Sequence, residues 1–315
     1  MRFRLSLACA FLIAGIVAGD VGAAPRRAVI DVHLHAGPAG WSGPGEPNEA
    51  ENEKHLREAL AAMDSHGVRL AVISGPMQFV EYWQKKAPNR FMASVMLPCE
   101  GGVAPLGGRQ CFSSGSVFPD LAWLRSSYAS GALAAMREIT AQYAGLSPAD
   151  PLLEPYFALA EELDIPVGVH TGLSYPGTPY QCCPKFRAGL GRPLLMEDVL
   201  VRHPKLRIYA MHGGSPYAEE MLAMMLLYPQ LHIDISAINY LMPRSQFHAY
   251  VRHLVENGMG KRILFGTDDF PLGDCVDSIE SAEFLSEEQK VDILCSNAAR
   301  FFRLDDERLC KRPGV

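Results

Sequence analysis

Val29-Ile30-Asp31-Val32-His33-Leu34-His35 is a short apolar run that ends on two histidines one residue apart. Branched aliphatic residues alternating with polar ones read as a half-buried β-strand. Successive side chains on a strand point to opposite faces, so this reading puts His33, His35 and Asp31 on one face. Two imidazoles on one face at a strand end are a ready pair of metal ligands. An isolated His-x-His is more often a pair of hydrogen-bonded histidines, and the rest of the chain has to decide.

Downstream, strand-like and helix-like stretches alternate. A helix is predicted over 51–66, a strand over 69–74, a helix over 77–86 and a strand over 91–97. A Gly/Ser-rich insertion (101–117) follows, then a helix over 120–129 and a fourth strand over 132–139. Helices at 151–163, 194–202, 219–227 and 245–257 alternate with strands at 165–170, 206–212, 231–235 and 262–267. Two helices close the chain, the second opened by the capping box Ser286-Glu287-Glu288-Gln289. Eight strands each followed by a helix predict an α/β fold, a (β/α)8 TIM barrel with a C-terminal helical extension. A doubly wound sheet would carry a glycine-rich phosphate loop after its first strand, where the His-x-His stands.

The 315 residues, 48% hydrophobic and 20% charged with net charge −6, describe an ordinary globular chain. Neither nucleic acid nor an acidic membrane surface is a natural partner for it. The N-terminus differs: Met1-Arg2-Phe3-Arg4, then an apolar run from Leu5 to Gly19, then Val21-Gly22-Ala23, is the layout of a secretory signal peptide. Asp20 stops the run short of the roughly 20 apolar residues that span a bilayer. Residues 1–24 are therefore read as a cleaved signal and 25–315 as a secreted or periplasmic domain, free of the membrane after cleavage. Export lets the remaining cysteines form disulfides. Cys99 with Cys111 and Cys275 with Cys310 are plausible pairs, whereas adjacent Cys182 and Cys183 are expected to find a distant partner for at least one of them.

The predicted strand ends carry the chemistry. Strand five stops at His170, strand six at His212 and strand eight at Asp268, each followed by a loop-former. Any one alone is a satisfied side chain or a helix cap; four strand ends stopping on His or Asp are a constellation. In a barrel all of them lie on the C-terminal face, where active sites are built.

These motifs, Asp31-Val32-His33-Leu34-His35, Val169-His170-Thr171-Gly172, Met211-His212-Gly213-Gly214 and Phe265-Gly266-Thr267-Asp268, resemble those of the metal-dependent amidohydrolase superfamily. Asp164-Ile165-Pro166-Val167, Arg192-Pro193-Leu194 and Asn297-Ala298-Ala299-Arg300-Phe301-Phe302 resemble its amidohydrolase-related (amidohydrolase 2) branch, which also contains decarboxylases. The resemblance implies a metal site with Asp268 as ligand and proton shuttle, a small-molecule substrate, and an ordinary tendency to form homodimers. Three imidazoles and a carboxylate suit zinc, with Mn, Fe or Co also accommodated. Zinc lowers the pKa of its bound water to roughly 7.

Whether one ion or two bind turns on strand four, which offers Glu138 as a bridging carboxylate. With the bridge, His33, His35 and Asp268 hold one ion and His170 and His212 the other. Without it, His33, His35, His170 and Asp268 hold a single ion, and His212 orients water or substrate. Arg187 and Arg192, in or just after the loop beyond His170, are candidates to recognise a substrate carboxylate. Trp41 and Tyr175 are candidates to line the pocket, whereas Met221, Met224 and Met225 follow helical spacing and belong to a core. The expected activity is hydrolysis of a small amide, lactone or ester by metal-activated water. The alternative is decarboxylation of a small aromatic or unsaturated acid, and a non-catalytic binding protein has no use for Asp268.

Overall fold

The computed structural model describes residues 26–37, 49–105 and 109–310. Its strands are β1 Val29–His35, β2 Val68–Ser74, β3 Phe91–Leu97, β4 Ala135–Ile139, β5 Val167–Val169, β6 Ile208–Ala210, β7 Leu231–Asp234 and β8 Ile263–Leu264. They form one parallel sheet in sequence order. Its two ends meet where Val32 N–H donates to Phe265 O (2.9 Å) and Asp268 N–H to His33 O (2.7 Å). The result is a nearly closed (β/α)8 barrel, as expected.

Helices α1 Glu49–His66, α2 Met77–Lys86, α3 Leu121–Ala129 and α4 Glu154–Glu162 follow the first four strands. The long loop after β5 holds one turn, α5 Thr178–Gln181, before α6 Glu197–Arg202. Then come α7 Ala218–Leu227, α8 Ile238–Leu241, α9 Arg244–Glu256 and α10 Leu272–Glu280. The extension comprises α11 Glu287–Val291, a π-helical turn over Asp292–Ser296, α12 Asn297–Phe301 and α13 Asp306–Cys310. Ser286 opens α11 with the predicted capping box.

Two apolar layers hold the barrel. Val29, Ala71, Ile73, Met136 and Ile139 pack outward with Leu56, Trp83 and Phe157, between sheet and helices. Met221, Met224 and Met225 join this layer, as their spacing predicts. Ile30, Val32, Val72, Ala135, Tyr209 and Leu264 fill the interior with Ala298, Phe301 and Phe302 of the extension. Full burial of each large side chain contributes about 1.5–3 kcal/mol. Asn297 pins the extension by donating to Gly260 O (2.9 Å) and Ile263 O (2.7 Å), at the start of β8.

Strand alternation breaks at the start of β2, where Val29 pairs with Val68 and Ile30 with Leu70, and again at two places nearer the strand ends. Asp31 pairs with Ala71 and Leu34 with Ile73, so β1 spends three steps where β2 spends two. Ala71, Ile73 and Leu34 all lie in the outer layer. The extra residue of this bulge turns His33 and His35 inward and leaves Asp31 on the opposite phase. The expectation that all three share one face is thus corrected: Asp31 binds Thr267 Oγ1 (2.6 Å) and N–H (3.1 Å) instead. β4 repeats the device, since Val95 pairs with Met136 and Leu97 with Ile139. Met136 and Ile139 both pack outward, so Arg137 and Glu138 together fill the inner side.

Cys99 and Cys111 are disulfide-bonded, as expected. Cys310 joins Cys295 rather than Cys275, because the π-helical turn carries Cys295 to α13 with a Cα separation of 5.6 Å. Cys275 is a free thiol buried in α10. Cys182 and Cys183 bond to each other, against expectation; the other pairs are closed, and the remaining thiol, Cys275, is buried in α10. The predicted signal and Trp41 lie outside those residues. Within them, no helix is long and apolar enough to cross a membrane.

Candidate active site

The inward turn of β1 and β4 and the ends of β5, β6 and β8 bring six predicted residues together. Glu138 is at the centre. Its Oε2 faces His35 Nε2 (3.7 Å) and His33 Nε2 (3.9 Å), and its Oε1 faces His170 Nε2 (3.9 Å) and His212 Nε2 (4.0 Å). Asp268 Oδ1 lies 3.1 Å from His35 Nε2 and 3.2 Å from His33 Nε2. His212 and Asp268 adopt left-handed backbone (φ 58° and 57°), which ends each apolar run and aims its side chain across the barrel mouth.

A second layer aims the rings. His33 Nδ1 lies 3.0 Å from Asp234 Oδ2, which accepts its proton. His170 Nδ1 stands 2.9 Å from Gln142 Oε1, and the Gln142 amide donates to Gly172 O (3.0 Å) and Arg187 O (3.1 Å). Both rings therefore keep a proton on, and are oriented through, Nδ1 and turn Nε2 toward Glu138. Tyr143 Oη lies 3.3 Å from His170 Nε2 and donates to Ser174 Oγ (2.9 Å). Sequence reading passed over Asp234, Ser236, Gln142 and Tyr143. Asp234 ends Leu231-His232-Ile233-Asp234, an apolar run stopping on an acid like the others, and that signal was available.

Charge is concentrated here. Burial and the Arg137 guanidinium oppose protonation of His33, yet Asp268 and Asp234 outweigh them and lift it to about 10. Burial opposes protonation of His212 too, and nearby Glu138 and Asp268 reverse that. His170, buried and facing His212, is pushed down to about 4. Burial alone would raise Glu138, but the surrounding imidazoles hold it well below the carboxylate range. Asp268 is held low in the same way, its burial outweighed by His33 and His35. A cluster that draws protons onto its imidazoles has negative charge to offer a cation.

The donor set fits a divalent ion. His33 Nε2 is fully buried and makes no hydrogen bond. Three groups, His33/His35/Glu138, Glu138/His170/His212 and His33/His212/Asp268, each hold their donor atoms within 4.8 Å of one another. Donors roughly 2.0–2.2 Å from a tetrahedral ion stand roughly 3.3–3.6 Å apart, close to the spacing found.

The two candidate arginines are not brought to this cluster. Arg192 pairs with Glu220 and lies over the Tyr217 ring. Arg187 donates to the carbonyls of Pro184 (2.8 Å) and Phe186 (2.7 Å). Arg137 is the guanidinium nearest the cluster in sequence, buried beneath it and donating to Leu34 O (3.1 Å) and Val72 O (2.6 Å). Tyr175 stands at the rim with Phe270 and Tyr240, its hydroxyl raised to about 12 by burial and by Asp268, Asp269 and Glu138.

A parallel barrel with histidines and carboxylates gathered at the C-terminal mouth is the architecture of the metal-dependent amidohydrolases. A family model described as amidohydrolase matches residues 30–304, and the chain belongs to that family, within an enzyme superfamily that is metal-dependent. No curated protein sequence matches it. Solved structures share the fold. An uncharacterized TIM-barrel protein from Bordetella bronchiseptica is 18% identical, TM-score 0.61, over 87% of this chain and 98% of that one. A probable 2-pyrone-4,6-dicarboxylic acid hydrolase from Acinetobacter baumannii, with citric acid bound, is 14% identical, TM-score 0.60, over 88% and 99%. A dihydroxybenzoic acid decarboxylase from Polaromonas sp., with bound manganese and 2-nitroresorcinol, is 13% identical, TM-score 0.57, over 88% and 97%. At these identities the likeness speaks for the fold alone, and its bearers include both hydrolases and decarboxylases.

Proposed function

We propose that the protein is an exported hydrolase that opens a small lactone, ester or amide with the help of two divalent ions. The observation that carries this reading is Glu138, which turns one carboxylate oxygen to each histidine pair. His33, His35 and Asp268 would hold one ion and His170 and His212 the other, with Glu138 shared. Zinc suits the donors, and Mn, Fe or Co would also be accepted. Such ions act as Lewis acids on a carbonyl and lower the pKa of water to about 7.

The chain supplies the remainder. Asp268, 20% exposed against 8% for Glu138, is the carboxylate of the cluster that substrate can reach. Held ionised by His33 and His35, it accepts a proton from the attacking water and returns it to the leaving oxygen or nitrogen. The ring pair Tyr240 and Phe270 (centroids 5.0 Å apart), with Tyr175 beside it, gives the mouth an apolar wall that limits bulk water. The engagement of Arg187 and Arg192 elsewhere favours a neutral carbonyl over the clamped carboxylate a decarboxylase needs. Three disulfides support an oxidising compartment and hence export.

Metal analysis of the purified chain, with a panel of lactones, esters, amides and aromatic acids, tests the reading. Two ions per chain, lost together in Glu138→Gln, and hydrolysis of a panel member are expected. One ion indifferent to that change, or carbon dioxide release from an aromatic acid without hydrolysis, overturns it.

A further inference from the structure

Ser236 stands two residues beyond β7, fully buried. Its Oγ lies 2.6 Å from Asp234 Oδ1, 2.8 Å from His33 Nδ1 and 3.1 Å from His212 Nδ1. A serine hydroxyl has one proton and two lone pairs. Asp234 Oδ1 already accepts the backbone N–H of His212 (2.9 Å) and of Ser236 (3.0 Å), so it is an acceptor. The hydroxyl proton therefore goes to Asp234. Both lone pairs then accept, one from His33 Nδ1–H and one from His212 Nδ1–H, and each ring turns its Nε2 toward Glu138. One hydroxyl thus serves two imidazoles that belong to opposite halves of the site.

Two further features are built around this contact. Ile238 N–H bonds back to Ser236 O at 2.6 Å, and Ala237 between them adopts φ 59°, ψ −52°. That is a γ-turn of the rare positive-φ kind, which L-residues enter at a cost of about 1–3 kcal/mol. Gly266, on the other side, clears the approach: a Cβ there would stand 3.1 Å from Ser236 Cβ and 2.7 Å from His33 Cβ. A costly turn and a cleared neighbour converge on one serine.

We infer that Ser236 is a positioning residue that accepts the Nδ1–H of both His33 and His212 and fixes the tautomer of His212, which lacks a second strong acceptor. Its bearing on metal affinity rests on the two-ion reading above. The rings depend on it unequally. His33 has a second Nδ1 acceptor in Asp234 Oδ2 (3.0 Å), whereas His212 has only the carbonyl of Ser236 at 3.3 Å.

The test compares the full chain with Ser236→Ala and Ser236→Thr. Nitrogen-15 NMR of the metal-stripped proteins at pH 11, above the value near 10 to which Asp268 and Asp234 lift His33, reads the neutral tautomers directly. Wild type and S236T should carry a proton on Nδ1 of both rings, and S236A should shift His212, not His33, toward Nε2–H. Zinc titration against a fluorescent chelator should show one site weakened tenfold or more in S236A, within the range for lost outer-shell partners. The other site should stay within threefold, and S236T should restore both. His212 remaining protonated at Nδ1 in S236A overturns the inference. So does an equal loss at both sites that S236T does not restore. Should wild type bind no zinc, the two-ion reading fails while the NMR comparison still decides the role of Ser236.

Discussion

Replacing Gly266 by alanine tests whether the cluster is held rigidly. Gly266 has no left-handed backbone requirement, so the change acts through volume alone. The new methyl would meet His33 Cβ at 2.7 Å, Ser236 Cβ at 3.1 Å and His33 N at 3.4 Å. The first is about 0.7 Å short of the 3.4 Å where ordinary contact begins, and none of these atoms is the free end of a flexible chain. β1 cannot simply retreat, because Val32 N–H and Asp268 N–H bind it to the β8 segment on both sides of His33. The displacement must go into the site. Overpacking of this kind costs about 1–3 kcal/mol, which lowers the melting temperature by several degrees for a domain of this size. A ligand moved by most of an ångström costs about 10²-fold in rate. We expect G266A to melt lower, to bind zinc at least tenfold more weakly and to lose turnover accordingly. Gly189→Ala is the control, since a Cβ there meets nothing within 4 Å and the backbone is unconstrained. Wild-type melting and zinc affinity in G266A would show that β1 and β7 yield freely, and would refute a site held by strand packing.

Other perturbations separate chemistry from stability. Asp268→Asn should cut turnover by about 10²–10⁴-fold, the usual worth of a positioned acid–base group, while bound metal stays measurable; undiminished turnover would remove Asp268 from proton transfer. His232, packed against Phe301, is pushed down to about 4 by burial from its ordinary 6.5. Its folded pKa is the lower one, so the stability it confers is whole above pH 6.5 and is lost as pH falls toward 4. That amounts to about 3 kcal/mol at 1.36 kcal/mol per pKa unit. Denaturation of His232→Gln and wild type across that window should show wild type losing the extra amount, and parallel curves would contradict it. Changing both Cys295 and Cys310 to serine should cost about 3 kcal/mol, as expected for opening a loop of this length. Alkylation of residues 25–315, unfolded and unreduced, should label Cys275; label on Cys295 or Cys310 would refute the pairing.

Much of this was legible because several strands stop on a candidate site residue. An apolar run ending in His170, His212 or Asp268 carries both the strand and its chemistry, and eight such runs separated by helices leave few folds to choose from. Strand lengths were less legible. β6 and β8 are two to three residues long where the apolar runs predict six or seven. The backbone leaves the ladder early, and His212 and Asp268 then take left-handed conformations that hydrophobicity does not report. The arginines were misplaced for another reason. Arg192 meets Glu220, 28 residues further along the chain, and Arg187 turns back onto the carbonyls of its own loop, Pro184 and Phe186, a local conformation that residue types do not report.

The deepest failure of the linear reading is one of parity. Alternation correctly put His33 and His35 on one face and wrongly added Asp31, because a bulge between them shifts the phase by one residue. The bulge in β4 does the same to Arg137 and Glu138, placing two adjacent charged side chains on the inner side, which no alternating pattern allows. In β1 the shift brings the histidines inward while Asp31 stays behind to anchor Thr267. In β4 it lets Glu138 rise into the cluster while Arg137 reaches down to Leu34 O and Val72 O, below it. These two irregularities, unlike the one at the start of β2, lie beside the candidate site. A regular barrel made from these strands would bury its aliphatic residues equally well. The two bulges are what place the HxH pair and Glu138 opposite each other, and an altered bulge should disable the site before it unfolds the barrel.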